Sequence, residues 1–412
     1  MSDSERSSRT RITCFYELWR SATAGIIETA GSTFLLTIAV KQFAAGSVAK
    51  GIVAGSGSLG LLLSPLVVSF VISSGWRTGR AASRILAIGS VSFLLATLVP
   101  SLPVFVVGSM IGMAASAAII PLLTQMYQDN YPEKERGRLF SRTVMVRIAM
   151  AAGFSKLAGD ALDGHIDQYR WLLLVFSGAL AVASFCLSRC PTEPILSDGG
   201  AHPFRAMRFV REDALFRRTL ICWMLMGFAN LMMLPLRVEY LANPKYNQAV
   251  TVGMIALLTG VIPNLARLVL SPVWGYLFDH MNFFTLRVTL NIGFAIGIFT
   301  FFTSNSFAGL VAGAIVFGIS NAGGDVAWSL WVTKFAPPGR VADYMSVHTF
   351  LTGVRGVLAP MVAFHFAAKL SLGMMAAFSS ALIVLATLLL VPEIKWGRQA
   401  RKSAALVEEV SE

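Results

Sequence analysis

Long apolar runs separated by short polar breaks recur along the chain, at 18–41, 48–73, 83–101, 103–127, 140–160, 170–189, 217–240, 250–277, 285–303, 306–333, 342–366 and 370–391. Each is close to the roughly 20 residues a helix needs to cross the hydrocarbon core of a bilayer. A segment in lipid must satisfy its own backbone, so runs of this length predict helices. The breaks carry turn chemistry: Pro100-Ser101-Leu102-Pro103, Asn130-Tyr131-Pro132, Asn243-Pro244 and Pro337-Pro338-Gly339. The pattern predicts an all-α membrane protein with twelve transmembrane helices.

The runs form two sets of six. One long polar connection, from Pro191 to about Arg218, joins them. The expected organisation is a cytoplasmic tail at 1–17, a six-helix bundle at 18–190, a cytoplasmic linker at 191–216, a second six-helix bundle at 217–392 and a cytoplasmic tail at 393–412. Leu62-Leu63-Ser64-Pro65 has a near-copy in Val269-Leu270-Ser271-Pro272, 207 residues later, and Arg80 and Arg287 share that spacing. Repeats in the same orientation, each with an even number of spans, predict two pseudo-symmetric bundles about an axis along the membrane normal.

Composition agrees: 55% of residues are hydrophobic and 14% charged, with mean hydropathy +0.66. That leaves too little polar surface to coat a soluble globule. The net charge of +12 invites a nucleic-acid reading, but its distribution is topological. With the N-terminus inside, 24 of the 34 Lys and Arg residues fall in inner segments and six in outer ones. This bias predicts both termini and the linker in the cytoplasm, across the cell (inner) membrane, and no nucleic-acid partner is needed. Met1 to Arg11 is polar and basic, so no cleaved signal peptide is expected. Cys14, Cys186, Cys190 and Cys222 have no metal-site spacing and read as small buried hydrophobes.

Gly275-Tyr276-Leu277-Phe278-Asp279, after the eighth span, resembles the Gly-x-Leu-x-Asp loop motif of the major facilitator superfamily of secondary transporters. The resemblance extends over essentially the whole chain. It implies that spans one, four, seven and ten surround a cavity, while three, six, nine and twelve lie outermost. It also implies that Asp279 holds a helix end and a neighbouring Arg in the outward-open state. The first-half counterpart, Ser69-Phe70-Val71-Ile72, has lost the Gly and the Asp and keeps Gly79, Arg80 and Arg84. Control of the inward gate is therefore expected to rest on the C-terminal half.

A charge near the bilayer centre costs at least about 2.5–3.5 kcal/mol and needs a partner or a wet cavity. The candidates are Glu28 (span one), Arg147 and Lys156 (five), Arg267 (eight), Asp325 (ten), and His348 and Arg355 (eleven). Spans three, six, nine and twelve carry no ionisable residue between their ends. His348, Thr352 and Arg355 share one helical stripe, as do Glu28 and Ser32, and as do Asn321, Asp325 and Ser329. Lys156 stands four residues before Asp160, the spacing of an intrahelical ion pair. Two carboxylates against three arginines leave a cation for a solute, and Arg suits a planar anion. A fixed Asp325–Arg355 bridge is the competing reading.

The expected function is secondary active transport of an organic anion or zwitterion by alternating access, coupled to a proton carried on Glu28 or Asp325. The expected form is a monomer among membrane lipids. Alternatives are a multidrug or metal-ion exporter, and a non-transporting sensor or lipid-moving protein on the same fold. The stretch Ala149 to Gly159 lacks the Gly-x-x-x-Gly-Pro run common in drug antiporters. A metal site would rest on His348, Asp325 and Asn321, which lack ligand spacing. No phosphate-binding loop, nucleophile elbow or His-Glu-x-x-His run is present, so no enzyme activity and no cofactor are expected.

Overall fold

A computed structural model describes residues 3–194, 204–248, 250–304, 306–334 and 341–395. Parts of the expected linker and C-terminal tail, and Pro337-Pro338-Gly339, lie outside the described residues, as do the side chains of Asp279 and Ser329. Eleven helices are long and apolar enough to cross a membrane: α1 (Ser7–Lys41), α2 (Ser47–Ser73), α3 (Thr78–Leu98), α4 (Leu102–Asn130), α6 (Ile166–Arg189), α7 (Ala214–Ala242), α8 (Val252–Phe278), α9 (Phe283–Thr303), α10 (Phe307–Trp328), α11 (Tyr344–Ala367) and α12 (Leu372–Leu390). The twelfth, α5 (Glu133–Ala161), is 29 residues long and carries more charge. It packs in series with the others, between α1 and α8. No strand occurs among the described residues.

The helix starts follow from local chemistry. Asp213, Thr251, Asn282, Ser306 and Ser371 each cap a helix of the second half by accepting a backbone N–H of its first turn. Prolines persist inside α2 (Pro65), α7 (Pro235), α8 (Pro272) and α11 (Pro360). In the repeated Ser-Pro pair Ser64 donates at 2.8 Å to the Leu61 carbonyl, which Pro65 leaves without its N–H, whereas Ser271 donates at 2.6 Å to the Arg267 carbonyl, one residue before the carbonyl that Pro272 frees.

Helix packing repeats with a shift of six. Contacts α1–α5, α1–α6, α2–α4, α3–α4 and α3–α6 have the counterparts α7–α11, α7–α12, α8–α10, α9–α10 and α9–α12. The halves meet through α2–α11 and α5–α8, which the same shift interchanges. This is the two-bundle architecture expected from the repeat. Where α2 crosses α11, small residues allow close approach: Gly51 lies against Met361, Gly55 against Gly356 and Val357, and Gly353 against the Leu61–Leu62 backbone.

The start of α1 and the end of α12 lie on one face, since the number of helices between them is even. From the midplane to the opposite, far face the halves are tied by polar links. Lys41 donates to the Val250 carbonyl at 2.7 Å, and Lys50 pairs with Glu239 at 2.5 Å. Asp163 accepts from the Gly253 amide at 3.5 Å. Thr33 and Thr259 share a hydroxyl–hydroxyl contact of 3.0 Å. These two threonines sit in π-helical segments, Ala30–Phe34 in α1 and Leu257–Val261 in α8, that face each other across the halves. Such wide turns are unusual and concentrate at functional sites.

Two arginines counted as segment-end charges belong inside the bundle. Arg287 lies one turn into α9 and is 3% exposed, with its guanidinium 3.7 Å above the Trp223 ring. The expectation that span nine holds no ionisable residue between its ends is therefore corrected. Arg237, expected in an outer segment, is buried in α7 with its guanidinium 3.8 Å over the Phe317 ring. The aromatic faces supply the cation–π attraction that makes both placements tolerable.

Candidate functional site

The π segments of α1 and α8 stand beside a cluster of opposed charges. Glu28 closes the regular part of α1, two residues before its π segment, and Arg267 comes after that of α8. The Arg267 Nη1 atom donates to Glu28 Oε1 and, at 3.2 Å, to Asn264 Oδ1 one turn earlier on α8. Its Nε donates to Asp325 Oδ2 of α10 at 2.5 Å. Arg147 Nε of α5 lies 3.2 Å from the other oxygen of Glu28. Four helices, two from each half, thus converge on one network of two arginines and two carboxylates.

The pairing fits the cost of burying charge. The Arg267 side chain is 6% exposed, and without its carboxylates it would be an uncompensated cation in the bundle. Its planar guanidinium can engage both carboxylates at once, which a lysine could not do with the same geometry. Glu28 and Asp325 are more open, at 26% and 38% side-chain exposure. One side of the network is therefore reachable by water or a solute, while the central arginine is not.

Of the residues marked from sequence, the structure brings together Glu28, Arg147, Arg267 and Asp325. Ser32 is half-buried, 3.4 Å from the Thr33 hydroxyl, and Asn321 is half-buried one turn before Asp325. Lys156 stays away from the network and pairs with Asp160 at 2.6 Å. His348, Thr352 and Arg355 gather separately, between α7, α10 and α11. Arg355 donates to the Trp223 carbonyl at 2.5 Å and lies over Gly227, where any side chain would displace it. Asp325 accordingly pairs with Arg267, and a fixed Asp325–Arg355 bridge is not formed.

In the loop motif, Gly275 and Leu277 lie in the last turns of α8. In the first-half counterpart Thr192 Oγ1 accepts from the Gly79 amide at 3.0 Å, and Arg80 is exposed. Sequence reasoning missed Asn264, whose only signal was a polar side chain one turn before Arg267. It also missed the Lys50–Glu239 pair, because both residues fall near the ends of their spans. A third omission is Glu17, fully buried in α1, which accepts from Arg20 Nε at 2.7 Å and from the Tyr127 hydroxyl.

No family model matches the chain, and no curated protein matches it in sequence. Solved structures match over nearly the full length. A crystal structure of the nucleoside transporter NupG superposes with TM-score 0.70 at 12% identity, covering 94% of this chain and 99% of that one. The D-xylose-proton symporter matches with TM-score 0.67 at 15% identity, covering 94% and 96%. The human organic anion transporter MFSD10 matches with TM-score 0.61 at 15% identity, covering 95% and 100%. All are transporters rather than enzymes. At these identities the likeness is one of architecture, and the chain has the fold of the major facilitator superfamily transporters.

Proposed function

We propose that the chain is a proton-coupled secondary transporter of a small organic anion or zwitterion, working by alternating access of the bundles 18–190 and 217–392. The observation that carries this reading is Arg267 of α8 binding Glu28 of the opposite half while it also binds Asp325 of its own. A proton taken up by Glu28 removes the charge that ties the halves at mid-membrane. The freed Arg267 keeps Asp325, so the α8–α10 side stays neutral while α1 and α5 part from it. Proton binding and rearrangement of the halves are thereby linked through one side chain.

An anionic solute suits the charge inventory. Glu28 and Asp325 balance Arg147 and Arg267, while Arg355 has no carboxylate partner among the described residues. The bias of basic residues toward the segments on the termini face supports placing that face in the cytoplasm. The links on the far face then hold the outer side shut. The chain works as a monomer, since the coupling charges lie within one pair of bundles. Uptake driven by a pH gradient into proteoliposomes tests the reading. Glu28→Gln and Asp325→Asn are expected to abolish gradient-driven accumulation and Arg355→Lys to weaken solute affinity; unchanged transport in all three contradicts it.

A further inference from the structure

The buried arginines differ in what balances their charge. In the first half Arg20 has an internal counter-charge, Glu17, with Tyr127 completing the cluster. In the second half Trp223 of α7 stands between two arginines. Arg287 stacks on its ring at 3.7 Å and reaches the Met226 sulfur at 3.5 Å, and Arg355 donates to its carbonyl. Neither arginine has a carboxylate partner among the described residues. The Trp223 ring offsets part of the cost of Arg287, but two cations on one tryptophan favour a negative charge beside the more open one, Arg355.

The surroundings supply donors that lack partners. His348 is fully buried, and neither ring nitrogen has a hydrogen-bond partner; the Thr352 hydroxyl and Arg355 Nε are likewise unsatisfied. These three residues lie on one stripe of α11, at i, i+4 and i+7. The His348 ring is edge-on to Trp223 and Trp331, at 5.2 and 5.1 Å, and 5.6 Å from Trp328. Trp223 and Trp331 are packed against each other, so their faces are taken. Trp328 is half-buried, and it sits one turn beyond Asp325 on the same side of α10. Arg355 is also half-buried, so it and Trp328 are the accessible members of the cluster, while His348 and Thr352 are buried behind them.

We propose that Arg355, Thr352 and His348, with Trp328 as an open ring wall, form the binding site for the anionic group of a small aromatic organic anion. This names the solute class of the transport reading above and rests on it. The guanidinium of Arg355 engages the anion, and the Thr352 hydroxyl and a ring N–H of His348 donate beside it. The aromatic part lies against Trp328. Arg287 acts as a positioning residue: it fixes Trp223 from behind and adds positive potential through the ring without touching the solute.

Isothermal titration of the purified full-length protein at constant ionic strength, with benzenesulfonate and with sulfate as probes, tests this. Wild type is expected to bind benzenesulfonate saturably and more tightly than sulfate. Arg355→Gln is expected to lose affinity by about tenfold or more, Arg287→Gln by less, while Arg355→Lys recovers part of the loss. If Arg355→Gln is not recovered folded, Thr352→Val gives the same reading, since it removes only a hydroxyl. Equal binding by wild type, Arg355→Gln and Thr352→Val overturns the site, and sulfate binding as tight as benzenesulfonate overturns the aromatic assignment. Binding lost in the variants, together with no gradient-driven transport by wild type, keeps the site and overturns the transport reading. The reverse result keeps transport and overturns the site.

Discussion

Arg267 holds Glu28 of the opposite half with one guanidinium nitrogen and Asp325 of its own half, at 2.5 Å, with another. One side chain thus carries the ion pair between the bundles at mid-membrane. Removing it leaves two carboxylates facing each other with only Arg147 to offset them. Arg267→Gln is therefore expected to cost roughly 3–5 kcal/mol, the penalty for breaking a buried ion pair from one side. Adding Glu28→Gln and Asp325→Asn to it should restore most of that loss. Melting temperatures in detergent check both, and an Arg267→Gln melt equal to wild type goes against the pairing.

Lys50 and Glu239 form the second cross-half ion pair, at side-chain exposures of 10% and 3%. Asn243 Nδ2 also donates to Glu239, at 2.8 Å, and the lysine lies over the Phe364 ring. Lys50→Met alone strands a buried carboxylate and should destabilise by about 3–5 kcal/mol, whereas Lys50→Met with Glu239→Leu should lie near wild type. A double-mutant cycle on thermal stability measures the coupling. A coupling near zero removes this pair from the far-face closure.

Close backbone approach makes some glycines irreplaceable and leaves others free. A Cβ on Gly25 would fall on the Arg147 carbonyl, and one on Gly353 on the Leu62 backbone. Backbone cannot yield as a flexible side chain does, so each alanine replacement should cost about 1–3 kcal/mol. Gly153 has nothing within 4 Å of a built Cβ, and Gly153→Ala should be neutral or slightly stabilising. The contrast is read from unfolding temperatures of the three single variants. Equal shifts in all three would contradict the packing described for α1–α5 and α2–α11.

Cys190 follows the last turn of α6, buried, with its thiol donating to the Cys186 carbonyl at 3.4 Å. Burial, with Glu17 nearby, pushes its pKa up to about 12. A raised pKa keeps the thiol neutral below that value, so at pH 8 almost no thiolate is present to react. Maleimide labelling of the native protein at pH 8 should leave Cys190 unmodified, and denaturation should expose it. Rapid native labelling would contradict the burial of this helix end.

The spans and the duplication were legible in the sequence because lipid imposes them: each crossing needs about 20 apolar residues with an internally bonded backbone. Charged candidates were legible because each mid-membrane charge is costly enough to stand out. Their partners were not. Arg267 lies beyond a π segment in α8, and an extra residue in a turn rotates the rest of the helix by about 100°, so a regular helical count misaligns it with the residues before that segment. Arg287 read as an end anchor because the apolar run begins at 285 in the sequence, whereas its ring partner, Trp223, comes from a helix 64 residues away in the chain. Lys156 and Asp160 were readable because both lie in one regular helix.

The most direct test of the proton–solute coupling assigned to Glu28, Arg267 and Asp325 is benzenesulfonate movement in proteoliposomes, measured with and without a pH gradient. This probe stays charged at all working pH values and does not carry protons across lipid by itself. Wild type is expected to accumulate it under the gradient and to exchange it without one. Glu28→Gln is expected to keep exchange and lose accumulation, since the carboxylate that takes the proton is gone while the solute site is intact. Accumulation by Glu28→Gln at the wild-type level would contradict the account.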